Sequence, residues 1–149
     1  MTAADARHLD IRIASVLAGL GLGGLAEAPA RSREPASLSP GQRGRLALAA
    51  ALIARPAALV LDEPTNHLDA DSILWLRDFL KNFSGGLMVI SHDVDLMELV
   101  VNRVFYLDAN RCVLDQYKMG WKNYLTQREQ DEHPRKLDRA NAQNKATAL

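Results

Sequence analysis

The chain has 149 residues, of which 48% are hydrophobic, and this allows one ordinary core but leaves little room for two. Basic and acidic residues balance at 18 each, so the overall charge gives no argument for a nucleic-acid partner. The single cysteine, Cys112, excludes an internal disulfide framework, and no stretch reaches the roughly 18 apolar residues of a membrane-spanning helix. We expect a cytoplasmic protein, of one domain or part of one, without membrane insertion.

The N-terminal region predicts one helix followed by a loop. Apolar residues recur at near-helical spacing between Ile13 and Leu20, and several glycines then stop the pattern. Three of these, Gly19, Gly21 and Gly24, spell G-x-G-x-x-G. A dinucleotide-binding fingerprint follows a strand and opens a helix, whereas these glycines close a helix, so we interpret them as a helix end. The proline-containing segment 27–37 is predicted to be a surface connection.

A second helix is predicted to begin at Ser39 and to run to about Arg55. Ser39 is placed to be its N-cap, Pro40 its first helical residue, and Gln42 the capping-box partner three residues later. Pro56 marks its end. The broad apolar surface of this helix is expected to pack on a sheet.

Two short apolar runs, 58–61 and 87–90, do not alternate with polar residues, which is typical of strands buried on both faces of a parallel sheet. The segment between them predicts a crossover helix, with Asp69 or Asp71 as its cap and Gly85 and Gly86 as its stop. Its buried stripe is predicted to contain Ile73, Leu76 and Leu80. Together these elements form a βαβ unit.

The remaining sequence predicts a helix, a hairpin and a final helix. Residues 94–103 are expected to be helical, and VFYL, DANR and CVLDQY together are typical of a β-hairpin. The last stretch, from Gly120, is predicted to stay helical until Pro134 interrupts it.

Polar residues follow both apolar runs, where parallel sheets place their ligand sites. Asp62 and Glu63 end the first run, and Ser91, His92 and Asp93 end the second, so both groups are expected at one edge of the sheet. Consecutive extended residues point in opposite directions, which favours separate roles for the two acidic residues. A buried Asp62 would need either Mg²⁺ or basic neighbours, which leaves Glu63 free to orient water or to accept its proton.

The ordered motifs resemble the second half of an ATP-binding cassette (ABC) nucleotide-binding domain, and most closely the ABC-F family. The match covers about residues 37–130. Residues 38–42 are similar to the signature motif, 59–63 to the Walker B strand with its glutamate, 66–69 to the D-loop, and His92 to the switch histidine. Three features resemble ABC-F proteins in particular, namely the segment EPTNHLD, the closing hairpin and the segment GWKNYLTQRE.

This resemblance implies ATP and Mg²⁺ as cofactors and assigns a role to each matching residue. Asp62 supports Mg²⁺, while Glu63 and His92 are catalytic: Glu63 polarises the attacking water and His92 contacts the γ-phosphate. Residues of the second helix and the D-loop face a nucleotide held by an opposing cassette, and these are Ser39, Gly41, Gln42 and Asp69. A helix N-terminus suits that position because its N–H groups and dipole attract anions.

The chain also departs from the family pattern. The phosphate-binding loop G-x-x-x-x-G-K-[ST] does not occur in the sequence, and Pro40 stands where the family usually has the first glycine of the signature pair. We therefore expect a fragment, a truncated product or half of a split protein that is inactive as an isolated chain. Residues 1–36 are then a remnant of the helical subdomain, 37–117 the signature-to-switch part, and 118–149 a C-terminal helix and the start of an interdomain linker.

The expected fold class is therefore α/β: part of a P-loop NTPase-like parallel sheet with flanking helices, followed by a hairpin and a helical tail. The resemblance implies an ABC-F ATPase that works with a second cassette and with the ribosome and transfer RNA, in translation or antibiotic resistance. Two alternatives stay open, namely the ATPase subunit of an ABC transporter and a non-catalytic remnant or interaction module.

Several residues also have a purely structural interpretation. Ser39 and Gln42 alone are explained by a capping box. Trp75 and Phe79, four residues apart on a helix, favour packing over base stacking. Trp121 and Tyr124 favour docking of the last helix over RNA contact.

Overall fold

The computed structural model describes residues 3–25, 37–109 and 111–131. The helices and strands are α1 (Ala3–Gly19), a 3-10 turn (Gly23–Leu25), α2 (Pro40–Ile53), β1 (Ala58–Asp62), α3 (Ala70–Lys81), β2 (Gly86–Ile90), α4 (Val94–Val100), β3 (Val104–Asp108), β4 (Val113–Tyr117) and α5 (121–131). The chain divides into two compact units, Met1–Leu96 and Met97–Leu149. The first contains the parallel strands and the second the hairpin, so the expected α/β class is confirmed.

The predicted βαβ unit is present. Strands β1 and β2 pair in parallel, from Ala58 opposite Gly86 to Asp62 opposite Ile90, and α3 connects them. Leu76 and Leu80 of α3 are buried, as the apolar stripe predicts.

Among the described residues, the sheet is covered on one face only, which corrects the expectation of burial on both faces. Leu59 and Leu61 are buried, whereas Val60, Met88 and Ile90 are 71%, 52% and 56% exposed. Successive residues of a strand point to opposite faces, so these three apolar residues share the open face. An apolar run without alternation indicates only that both faces of the strand are suited to burial. It does not determine whether another element packs on each face.

The ends of α2 and α3 follow local capping chemistry. The Ser39–Gln42 capping box is formed with Pro40 in the first turn, as predicted, and α2 ends at Ile53, two residues before the expected Arg55. Asp69, rather than Asp71, caps α3.

Gly85 and Gly86 do not end α3, which stops at Lys81 with Asn82 as its C-cap. Gly86 instead begins β2. A Cβ atom at Gly85 would lie 2.7 Å from the Ala57 carbonyl oxygen, so Gly85 permits the close approach of two backbone segments. Likewise, α4 ends at Val100, three residues before its predicted end.

The N-terminal glycines close α1, as the sequence indicates. A Cβ at Gly19 would lie 2.2 Å from the Trp75 ring, so only glycine lets α1 and α3 meet there. Gly21 has a φ of +66°, a left-handed conformation that favours glycine. Trp75 also packs on Phe79, with ring centroids 5.3 Å apart, which confirms the packing interpretation of this pair.

The second unit is a β-hairpin with a helix docked on it. Strands β3 and β4 are antiparallel, with Val104 opposite Tyr117. Tyr124 of α5 is 3% exposed and packs edge-on against Tyr117, and its hydroxyl accepts a hydrogen bond from Arg128. The docking interpretation of this helix is therefore confirmed. Pro134 and most of the predicted surface connection at 27–37 lie outside the described residues.

Candidate functional site

The polar residues after β1 and β2 meet at one edge of the sheet, as predicted. Asp62 is the last residue of β1 and lies opposite Ile90. One residue further, the Glu63 N–H donates to the Ile90 carbonyl at 2.8 Å, so the ladder continues past the strand. The Glu63 carboxylate lies 3.4 Å from His92 Nε2 and accepts the His92 N–H at 3.4 Å. Glu63 and His92 are therefore neighbours, although 29 residues separate them.

Glu63 leaves the extended conformation. Its φ is 45°, in the left-handed region that non-glycine residues seldom occupy. The turn is held because the Glu63 carbonyl accepts the Asn66 N–H at 3.1 Å. Asp62 and Glu63 are therefore not two consecutive extended residues, which corrects the premise for side chains that point in opposite directions. Strained backbone of this kind is concentrated at functional sites.

Asp62 is exposed, which corrects the argument that its burial demands a cation. The described residues contain no group of three or more His, Cys, Asp or Glu side chains arranged to hold a metal ion. Mg²⁺, however, is commonly bound by one or two carboxylates together with substrate phosphates and water. Asp62 fits that donor set, and its assignment as a metal ligand stays a prediction based on the resemblance.

An open cavity of about 440 Å³ lies between α2 and the end of β1. Asp62, Glu63 and His67 contribute to its lining, and Ser39, Gly41 and Gln42 do not. The structure thus brings the strand-end carboxylates to one surface. The first turn of α2 adjoins that surface, because a Cβ at Gly41 would lie 3.6 Å from the His67 Cβ. That Ser39 faces a different nucleotide from Glu63 stays a prediction based on the resemblance.

The first turn of α2 can still receive an anion. Ser39 Oγ accepts the Gln42 N–H at 3.2 Å, and Gln42 Oε1 accepts the Ser39 N–H at 3.0 Å. Capping uses one lone pair of the Ser39 hydroxyl and leaves its proton to donate. Within the described part of the chain, no acceptor lies on the Gly41 N–H. Pro40 has no N–H, so Gly41 and the Ser39 hydroxyl are the donors that this turn offers.

Asp69 is occupied in capping α3. Its carboxylate accepts the Ser72 N–H at 2.8 Å. This backbone hydrogen bond, together with the Ser72 hydroxyl and the nearby Arg45 guanidinium, holds the Asp69 pKa below its ordinary value. Asp69 therefore stays ionised at neutral pH, as an N-cap and as a charged residue next to the predicted D-loop.

Sequence reasoning missed one ion pair at this edge, between Arg77 of α3 and Asp93. Arg77 Nη2 donates to Asp93 at 2.6 Å. Burial acts to raise the Asp93 pKa, but the Arg77 guanidinium and the Leu96 N–H outweigh it, so that pKa lies below its usual value. The only sequence signal was that Arg77 directly follows buried Leu76, which predicts a partly buried cation in need of a partner.

Comparison with known proteins finds similarity to ATP-binding cassettes. A sequence profile described as "ABC transporter" matches residues 1–66. YdiF of Bacillus subtilis is 40% identical over 80% of this chain, and ATP-binding cassette sub-family F member 3 of Homo sapiens is 37% identical over 85%. Over most of its length the chain is similar to members of the ABC-F family. It spans 17% of the length of each of these two relatives.

Solved structures extend the similarity to the fold of an ABC cassette. The dimeric structure of the ATP-binding cassette MJ0796, in a post-hydrolysis state bound to ADP and Pi, matches 79% of this chain with a TM-score of 0.55 and 26% identity. The match covers 49% of the MJ0796 chain. Among the described residues of this chain, no helix is both long and apolar enough to cross a membrane.

Proposed function

We propose that this chain supplies the Walker B, D-loop and switch-histidine part of a cassette that binds and hydrolyses ATP. The observation that carries the proposal is the contact between Glu63 and His92 at the carboxyl ends of two parallel strands. A carboxylate beside an imidazole can accept a proton from water while the imidazole donates a hydrogen bond to an anion. Phosphoryl transfer needs a proton acceptor and a hydrogen-bond donor to the phosphate, together with correct positioning of the reacting groups.

The proposed roles are those that the resemblance implies, and the positions of Glu63 and His92 support two of them. Glu63 orients the attacking water and accepts its proton, and His92, whose imidazole is 98% exposed, is free to meet the γ-phosphate. Asp62 at the end of β1 holds Mg²⁺, which would neutralise phosphate charge. Ser39, Gly41 and Gln42 present the first turn of α2 to a nucleotide held by a second cassette, and Asp69 belongs to that interface.

The proposed partners and location rest on the similarity to ABC-F proteins. The dimeric MJ0796 structure supports a second cassette as the partner. Relatives named for sub-family F favour an ABC-F protein that works in the cytoplasm with the ribosome and transfer RNA, in translation or antibiotic resistance, over a transporter subunit. The 149-residue chain alone is expected to be inactive, because its sequence contains no G-x-x-x-x-G-K-[ST] loop to hold the phosphates.

The first experiment is to read the genomic DNA on both sides of the coding sequence. An in-frame phosphate-binding loop upstream supports the enzyme, and a second cassette downstream supports ABC-F over a transporter subunit. Absence of both favours the non-catalytic alternative. Purified 149-residue chain should show no ATP turnover; turnover that Glu63→Gln abolishes would contradict its proposed inactivity.

The second experiment tests the role of Glu63 in the complete cassette. Glu63→Gln should lower turnover by about 10²-fold to 10⁴-fold, the usual contribution of a general base, while ATP affinity stays unchanged. Exposed Glu98 gives a matched control, and Glu98→Gln should leave both unchanged. A Glu63→Gln protein that loses ATP binding as severely as turnover would instead assign Glu63 to metal binding or to structure.

The third experiment tests the partner. The complete Glu63→Gln protein, loaded with ATP, should sediment with ribosomes through a sucrose cushion, and the same protein without ATP should not. Sedimentation with a membrane protein in place of ribosomes would favour the transporter alternative.

A further inference from the structure

Arg77 of α3 forms an ion pair with the turn that contains His92. Its Nη2 donates to Asp93 Oδ1 at 2.6 Å and its Nε to Asp93 Oδ2 at 3.2 Å, so both carboxylate oxygens are bound. A third nitrogen, Nη1, lies 3.0 Å from an Asp95 carboxylate oxygen. The side chains of Arg77 and Asp93 are only 21% and 10% exposed. A two-point, partly buried pair of this kind is stronger and more specific in geometry than a surface ion pair.

The same Asp93 organises the backbone around His92. Its Oδ1 accepts the Leu96 N–H at 3.0 Å, which caps α4, and its own N–H donates to Ser91 Oγ at 3.0 Å. Asp93 is therefore bonded to residues on both sides of His92, to Ser91 through its N–H and to Leu96 through its carboxylate, and Arg77 holds that carboxylate.

Among the described residues, little packs against the His92 side chain. It is 98% exposed, and its Nε2 lies 3.4 Å from the Glu63 carboxylate; the second contact to Glu63, also 3.4 Å long, is made by the His92 backbone N–H. Contacts of that length are weak, so the backbone of the turn must set the position of the imidazole. Any loosening at Asp93 should therefore move His92 relative to Glu63.

We infer that Arg77 is a positioning residue that holds the Ser91–Asp93 turn, and thereby His92, against Glu63. Its consequence for catalysis rests on the proposed function, whereas the geometry itself needs no nucleotide. Arg77 lies two turns along α3 from the Asp69 N-cap, so one helix joins the predicted D-loop to the His92 turn. A movement of the D-loop would reach the switch histidine through α3 and this ion pair.

Hydrogen exchange of the 149-residue chain, measured by mass spectrometry with residue-level fragmentation, tests the inference without ATP. Arg77→Leu and Asp93→Asn should each raise the rate of amide exchange at residues 91–96 by about 10-fold to 100-fold. This factor corresponds to the local stability lost when hydrogen bonds between charged groups are removed. Asparagine also caps helices well, so Asp93→Asn removes the ion pair while it keeps the cap of α4. Arg77→Lys keeps the charge without the fork and should give an intermediate increase.

Asp95→Asn is the matched control. Asp95 is 75% exposed and touches Arg77 through one nitrogen, so its loss should leave the exchange of residues 91–96 nearly unchanged. Exchange in β2 separates positioning from general stability, because it should stay unchanged when the 91–96 amides accelerate. Unchanged exchange at 91–96 in Asp93→Asn and Arg77→Lys would overturn the inference, and so would equal acceleration in β2.

The closing experiment uses the complete cassette. There Arg77→Leu should lower ATP turnover at least 10-fold with unchanged ATP affinity, and Arg77→Lys should recover part of the loss. Absence of turnover with Arg77 intact refutes the proposed function, whereas normal turnover in Arg77→Leu refutes only the positioning role.

Discussion

Ser39 allows the two interpretations of the α2 N-terminus to be separated, because capping and anion binding use different parts of its hydroxyl. Capping needs the oxygen as an acceptor for the Gln42 N–H, at 3.2 Å. Anion binding needs the hydroxyl proton. Alanine removes both, aspartate keeps an acceptor but has no proton to donate at neutral pH, and threonine keeps both.

The magnitude follows from the cap. Replacing a serine N-cap by alanine costs about 0.5–2 kcal/mol, and this exposed cap, with its second bond from the Ser39 N–H to Gln42 intact, belongs near 1 kcal/mol. The unit that contains α2 spans Met1–Leu96. A loss of 1 kcal/mol lowers the Tm of a domain of roughly 60–100 residues by about 4–8 °C. Aspartate should restore the Tm, because it caps well and its charge favours a helix N-terminus.

Circular dichroism of the 149-residue variants measures the cap, and ATP turnover of the complete cassette measures the anion site. Ser39→Ala should lower both the Tm and ATP turnover, and Ser39→Thr should leave both unchanged. Ser39→Asp should keep the Tm but lose turnover, because its carboxylate repels phosphate. Full turnover in Ser39→Asp would refute the anion role. An unchanged Tm in Ser39→Ala would refute the energetic role of the cap.

Three further predictions concern packing, association and pH. Gly19→Ala should cost about 1–3 kcal/mol, because its Cβ would lie 2.2 Å from the Trp75 ring, and Trp75→Leu should recover part of the loss; urea titrations that give additive losses would contradict this. Met88 is 52% exposed on the open face of the sheet, so we expect that face to mediate self-association of the isolated chain. Met88→Glu should reduce this self-association in sedimentation velocity, and unchanged association would exclude that face as the contact surface. Because the pKa of Asp93 is lowered in the folded protein, its stabilising contribution is present above its unfolded pKa of about 3.9 and is lost as pH falls through the folded pKa. The difference in unfolding free energy between the native chain and Asp93→Asn should therefore be larger at pH 7 than at pH 3, and an equal difference at both would refute the ion pair.

The features predicted correctly from sequence are those determined by neighbouring residues. A capping box needs only Ser39 and Gln42, three residues apart, and its hydrogen bonds form as expected. The βαβ unit also follows from local signals, because two apolar runs and one amphipathic helix suffice to specify it.

The features that sequence reasoning missed depend on distant parts of the fold. Arg77 and Asp93 are 16 residues apart, and no periodicity predicts their contact. The left-handed Glu63 was missed because a continuing apolar pattern indicates only where a strand runs, and its exit is set by bonds to Ile90 and Asn66. The exposure of Val60 was missed because burial is a property of what covers a residue, which a strand sequence does not contain.

The distance between Glu63 and His92 depends on the hydrophobic pattern of β1. The pairing of β1 with β2 fixes the distance between Glu63 and the end of β2. A slip of the register by one residue would move β1 by about 3.3 Å, which is nearly as long as the 3.4 Å contact between Glu63 and His92. Slip by one residue would also turn buried Leu59 and Leu61 to the open face and bring Val60 inside. The two leucines therefore hold the strand in the one register that places a carboxylate beside the imidazole. In this protein the geometry proposed for catalysis is a consequence of which side of β1 is covered.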